Sequence, residues 1–144
     1  MDTHVLFRRA RVPFSTRRSL KSFAAVLTAE VTGGLGFHCL ISDDRELRRL
    51  NRLFLSRDYA TDVLSFPEDG SLGEIAVSAD RAADQAREFG HSLDSEIQIL
   101  MLHGVLHLMG MDHETDRGRM ARAEARWRSK LALPAGVIER AKRS

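Results

Sequence analysis

The chain has 144 residues, 43% apolar and 29% charged, an ordinary globular mix that fits one domain with one core. A single cysteine, Cys39, excludes an intramolecular disulfide, and no run approaches the roughly 18 apolar residues that span a bilayer. The net charge of +2 hides an uneven distribution, with +5 on residues 1–22, −10 on 23–116 and +7 on 117–144. Two basic ends around an acidic body suit either an anionic partner gripped by the ends or two solvated, arginine-rich surfaces.

Val5–Phe7 reads as a short strand. It is too short for the apolar core of a signal peptide, and Arg8, Arg9 and Arg11 follow at once, so the expected location is the cytoplasm. Ser15 or Thr16 can cap a first helix with Leu20, Phe23, Ala24 and Leu27 on its apolar face, ended by Gly33, Gly34 and Gly36. Phe37–Ile41 is a strand in which Cys39 acts as a small buried hydrophobe. Asp43 and Glu46 form the pattern of a capping box, opening a helix to about Phe54 with Leu47, Leu50 and Phe54 inward. On that helix Arg45, Arg48, Arg49 and Arg52 recur as one basic stripe, either a solvated face or a contact for RNA backbone.

Val63–Phe66 and Gly73–Val77 read as strands on either side of a Glu68–Ser71 turn, the first stopped by Pro67. Ser78 can cap a helix with Ala79, Ala82, Ala83, Ala86 and Phe89 on its inner face, broken at Gly90. Ser92 opens the next helix. From Ile97 to Met109 it is apolar all round apart from Gln98 and two histidines, the mark of a buried helix, with Gly110 as its C-cap. A last helix over about Asp116–Leu131 ends before Pro134, leaving Pro134–Ser144 as a basic tail. The expectation is an α+β domain spanning residues 1–144. It has a small mixed sheet of about four strands, about five helices and a metal site on the buried central helix.

His103 and His107 stand four apart and therefore on one helix face, where both imidazoles reach one point. His113 follows three residues after Gly110 and can close on the same point. Three imidazoles with a fourth position open is the pattern of a catalytic zinc site holding one Zn2+ per chain. Buried ring nitrogens otherwise need partners, which weighs against two plain core histidines. The spacing His-x3-His-x2-Gly-x2-His is that of metzincin proteases, but the position of their general-base glutamate is Gly104.

Other residues carry alternatives. Glu124 lies in the seam of Met120, Trp127 and Leu131, as an acceptor for a ligand imidazole or as a surface carboxylate. Asp112 adjoins a ligand, as a proton acceptor or a turn residue. His4, His38 and His91 lack partners at ligand spacing and read as structural or surface residues; Trp127 reads as core.

The stretches His103-Gly-Val-Leu-His107-Leu-Met-Gly110-Met-Asp112-His113, Thr61-Asp-Val-Leu-Ser-Phe-Pro67 and Gly73-Glu-Ile-Ala-Val-Ser78 resemble the YbeY family, as do Asn51 and Phe89-Gly-His-Ser92. The resemblance runs over about residues 40 to 125. It implies a cytoplasmic, zinc-dependent, single-strand endoribonuclease of ribosomal RNA processing (16S 3′-end maturation), with the small ribosomal subunit and its associated proteins as partners and no membrane. The family's activity-linked arginine falls on Leu55 here, within Asn51-Arg-Leu-Phe-Leu-Ser-Arg-Asp58, while Arg57 takes the family's lysine position. Phosphodiester cleavage needs a cation for charge building on the phosphoryl oxygens, so Arg57, or else Arg52, is the candidate donor. The alternatives are a metzincin-like metalloprotease, opposed by Gly104, and a non-catalytic ribosome-assembly factor stabilised by its metal. His103, Arg57 and Asp112 are the candidate catalytic residues.

Overall fold

The computed structural model describes residues 2–59, 61–112 and 115–143. Among them, four strands, β1 (His4–Phe7), β2 (Phe37–Ser42), β3 (Val63–Pro67) and β4 (Gly73–Ser78), form one mixed sheet in the order β1-β2-β4-β3. β1, β2 and β4 run parallel, and β3 returns antiparallel to β4 as an edge strand with Val63 opposite Val77. Among the described residues six helices surround the sheet: α1 (Phe14–Val26), α2 (Asp44–Leu55), α3 (Ala79–Phe89), α4 (Leu93–Leu108), α5 (Arg119–Lys130) and α6 (Val137–Arg143). α1 continues through a π-helical turn, Leu27–Val31, before the glycines end it.

Strand alternation sorts side chains between two faces. Phe37, Cys39 and Ile41 of β2, with Ile75 and Val77 of β4, join the main core under α1 and α4. Leu64 and Ala76 point the other way, where Leu47 of α2 closes a smaller cluster. α4 is the central element. Eleven of its sixteen residues are buried, and it packs on α1, α3, α5, α6 and strands β3 and β4. Burial pushes the Cys39 thiol up to about 12, so it stays protonated in the core.

Several expected boundaries shift for physical reasons. α1 is preceded by Pro13 with no side-chain cap; Thr16 is instead buried and donates to Asp94 Oδ1 at 2.6 Å, joining α1 to α4. Asp43 caps α2 by accepting from Glu46 N at 2.9 Å, but the Glu46 carboxylate turns to Arg49 rather than completing the box. Phe54, expected inward, is 61% exposed. Phe89 is exposed too, with the Arg140 guanidinium 4.3 Å from its ring centre and the His91 ring stacked on it. α5 begins later than the pattern suggests, at Arg119 after Gly118 in the left-handed region.

The basic tail is partly helix. α6 is fastened by Arg140, which donates twice to the buried Glu96 (2.6 and 3.1 Å), and by Arg128, which donates to Glu139 at 2.7 and 3.1 Å. His91 shares Glu96, at 2.6 Å. Local sequence gave no periodicity long enough to announce a seven-residue helix held by distant carboxylates.

A candidate metal-dependent active site at the edge of the sheet

Where α4 passes β3, a cleft of about 370 Å³ opens. His103 and His107 line it from α4, Leu55 and Arg57 from the end of α2, and Asp62 and Ser65 from the β3 segment. The two imidazoles meet edge to face with ring centres 4.8 Å apart, as their i, i+4 spacing requires. Ser65 donates to the carbonyl of Gly104 at 3.1 Å and so seats the helix on the strand.

Gly104 explains how close that seat is. A Cβ there would collide with Ile75 Cγ2 and lie 3.3 Å from both Ser65 Oγ and Val63 Cγ2. The position where metzincins carry a glutamate thus packs against the sheet, and a side chain there would force Ile75 to shift.

Behind His103 stands Glu124, 1% exposed. Its Oε2 lies 2.9 Å from His103 Nδ1, and a carboxylate accepts only, so the ring donates through Nδ1. The other oxygen accepts from the backbone N–H of Ile138 at 2.8 Å. Gly136 leaves room for this arrangement, since a Cβ there would overlap the carboxylate. Of the two sequence readings of Glu124, the structure gives the buried acceptor; the surface reading fails because the C-terminal segment covers it. Val137, in that segment, reaches the cleft wall and was not foreseen.

The residues present fit a zinc ion. Two imidazoles converge on one face, and one is oriented by a buried carboxylate of the kind that partners ligating histidines. Among the described residues no group of three or more metal-binding side chains is found; His113, the third expected ligand, lies outside them.

Arg57 is placed by local structure. Asn51, 1% exposed, accepts from the N–H of Arg57 through its backbone carbonyl (3.2 Å) and donates to the carbonyl of Tyr59 through Nδ2 (3.0 Å). Ser56 adopts a left-handed φ of 56° between them, and Arg48 donates to Asp58 at 2.9 Å. That bond and the Arg48 charge hold the Asp58 carboxyl below its ordinary range. The turn therefore aims residue 57 at the cleft, whereas Arg52 belongs to a separate arginine-lined hollow. Asp112 is exposed, its carbonyl accepting from Thr115 and Asp116. Asp62, missed in the sequence, is the carboxylate among the described cleft residues, and Gln85 donates to its Oδ2 at 3.2 Å. His4 and His38 pack edge to face away from the cleft, and Trp127 is partly buried against the core.

The family model described as Endoribonuclease YbeY matches residues 7–132. A curated relative of that name from Solibacter usitatus is 61% identical over 138 residues, covering 94% of this chain and 92% of the relative. Another, from Koribacter versatilis, is 56% identical over 103 residues, 70% of this chain and 68% of its own length. The solution structure of TM1509 from Thermotoga maritima shares the fold with a TM-score of 0.55 and 26% identity, covering 90% of this chain and 93% of that one.

Proposed function

Because this chain belongs to the YbeY endoribonuclease family, we propose that it hydrolyses phosphodiester bonds of single-stranded RNA in ribosomal RNA processing, at the α4–β3 cleft. The observation that carries the reading is the convergence on that cleft of His103, His107 and Arg57, with Glu124 behind His103. His103 and His107 would hold one zinc ion, with His113 as the third ligand on the strength of its sequence spacing. Zinc, when bound, supplies Lewis-acid stabilisation of the phosphoryl oxygens and lowers the pKa of water to about 7.

The remaining roles fall to the chain's own side chains. Glu124 fixes the tautomer and orientation of His103. Arg57 presents a guanidinium to the non-bridging phosphate oxygens, whose charge grows as the bond breaks; this replaces the arginine lost at Leu55. Asp62, steadied by Gln85, is the cleft carboxylate suited to accept the attacking water's proton, a role the exposed Asp112 is less well placed to fill. Leu55 and Val137 add apolar surface to the cleft wall. Work on the small ribosomal subunit and its proteins, in the cytoplasm, completes the proposal. No described helix is long and apolar enough to cross a membrane.

The protease alternative is disfavoured by the packing at Gly104, and the non-catalytic assembly factor by the arginine aimed into the cleft. The test is to incubate purified protein with single-stranded RNA and with casein, each with and without chelator. Chelator-sensitive RNA cleavage with intact casein is expected. Chelator-sensitive casein cleavage would favour the peptidase, and two intact substrates the assembly factor.

A further inference from the structure

On the side of the sheet away from α4, a polar hollow of about 600 Å³ is walled by Arg8, Arg9, Arg45, Arg48, Arg49 and Arg52. The α2 arginines recur at helical spacing and so share one face, and Arg8 and Arg9 reach them from the loop after β1. That loop is held to the sheet, as Arg8 N–H donates to the carbonyl of Ile41 at 3.0 Å and Ser42 Oγ to the carbonyl of Arg8 at 2.7 Å. Neutralisation is incomplete. Glu46 binds Arg49 twice and lies 4.0 Å from Arg8, and Arg48 is paired with Asp58. Arg9, Arg45 and Arg52 make no ion pair among the described residues.

We infer that this hollow is a second binding site for the RNA strand, a phosphate-binding exosite that feeds the cleft and rests on the ribonuclease reading above. Three observations point to a nucleic-acid backbone. Guanidinium groups concentrated in one concavity match phosphate charge and geometry. A neighbouring groove shares Arg8 and is lined by the exposed Phe54 and the partly buried Phe66, whose rings meet at 5.5 Å, an apolar aromatic surface available to unstacked bases. Finally, α2 joins the two sites physically: its arginines line the hollow, and its last residue, Leu55, lines the cleft. Arg45 to Leu55 spans about 15 Å at 1.5 Å per residue. That is roughly four to five stacked nucleotides at ~3.4 Å each. A strand cut at the cleft and longer than that spans the hollow as far as Arg45, whereas a shorter one meets at most its near edge at Arg52, about 4.5 Å of helix from Leu55.

The test measures binding, so it is independent of whether the protein cuts RNA. Fluorescence anisotropy follows a labelled 20-nucleotide single strand and a 4-nucleotide strand against wild type, Arg9→Ala/Arg45→Ala/Arg52→Ala and the matching triple lysine variant. The alanine variant is expected to bind the 20-mer at least tenfold more weakly, with the slope of log affinity against log salt shallower by about 2, as three lost phosphate contacts predict. Its affinity for the 4-mer is expected to fall several-fold less than for the 20-mer, and the lysine variant to retain most of the 20-mer affinity. An unchanged 20-mer affinity and salt slope in the alanine variant would overturn the inference, as would an equal loss on both lengths.

Discussion

On one face of the sheet, His103 sits 6% exposed on a helix that touches most of the fold; on the other, α2 shows its arginines to solvent. The first region is determined by packing. Gly104, Gly136, Ser65 and Glu124 each admit one arrangement of their neighbours, and the imidazoles inherit their places from it. The second is determined by charge, with Arg48 and Arg49 held by Asp58 and Glu46 and the other arginines exposed to solvent. Substitutions in the first region should therefore act on stability and metal affinity together, and those in the second on electrostatics alone.

The sharpest way to break the comparison is Gly104→Glu. Overpacking alone costs about 1–3 kcal/mol, and a carboxylate pressed against Ile75 adds a desolvation penalty. Urea denaturation should show a largely unfolded protein, while Gly104→Ala should be destabilised by about 1–3 kcal/mol. A stable Gly104→Glu variant that digests casein would refute the packing account.

Next in size is Arg57→Ala, expected to slow cleavage of single-stranded RNA by about one to three orders of magnitude with zinc content unchanged. Leu55→Arg placed in that background should restore part of the rate. Kinetics indistinguishable from wild type in Arg57→Ala would remove the guanidinium from the cleft chemistry.

Glu124→Gln tests whether the buried side acts through orientation. Competition with a chromogenic chelator should show zinc affinity falling about 10–100-fold. Equal affinity in variant and wild type would make Glu124 a purely structural tie between α5 and α6.

The smallest effect belongs to the charged side. The hydrogen bond from Arg49, aided by its charge and those of Arg8 and Arg9, holds the Glu46 carboxyl below its ordinary range despite partial burial. Stability from that depressed value is present above the ordinary carboxylate pKa and is lost as pH falls through the depressed one. Glu46→Gln should thus lose up to about 1 kcal/mol near neutral pH. The difference from wild type should fade in acid-denaturation curves below that window. A difference constant across the whole acid range would contradict the assignment.

Much of the cleft was legible because its signals are local. His103 and His107 are placed by helical periodicity, and α4 announces its burial by lacking a polar face. The four strands emerged from alternation and turn residues. The parts that escaped depend on distant contacts. Glu124 reads as either surface or buried until α6 is seen to lie over it, and α6 is secured by Glu96, 44 positions from Arg140 in sequence. Asp62 lies within the Thr61–Pro67 stretch, but nothing in that stretch singled it out; its place just before β3 brings it to the cleft. Arg57 was named as the replacement cation from the sequence; that it shares a cleft with the histidines while Arg52 lines another hollow came from the Asn51-held turn.

The central claim is that a zinc ion held by His103 and His107 makes this cleft a ribonuclease. It is tested most directly by stripping the purified protein of metal and following cleavage of single-stranded RNA as zinc is added back. Activity should rise to a plateau near one equivalent per chain and be absent throughout in His103→Ala/His107→Ala. Full activity without metal, or the same titration curve in the double variant, would contradict it.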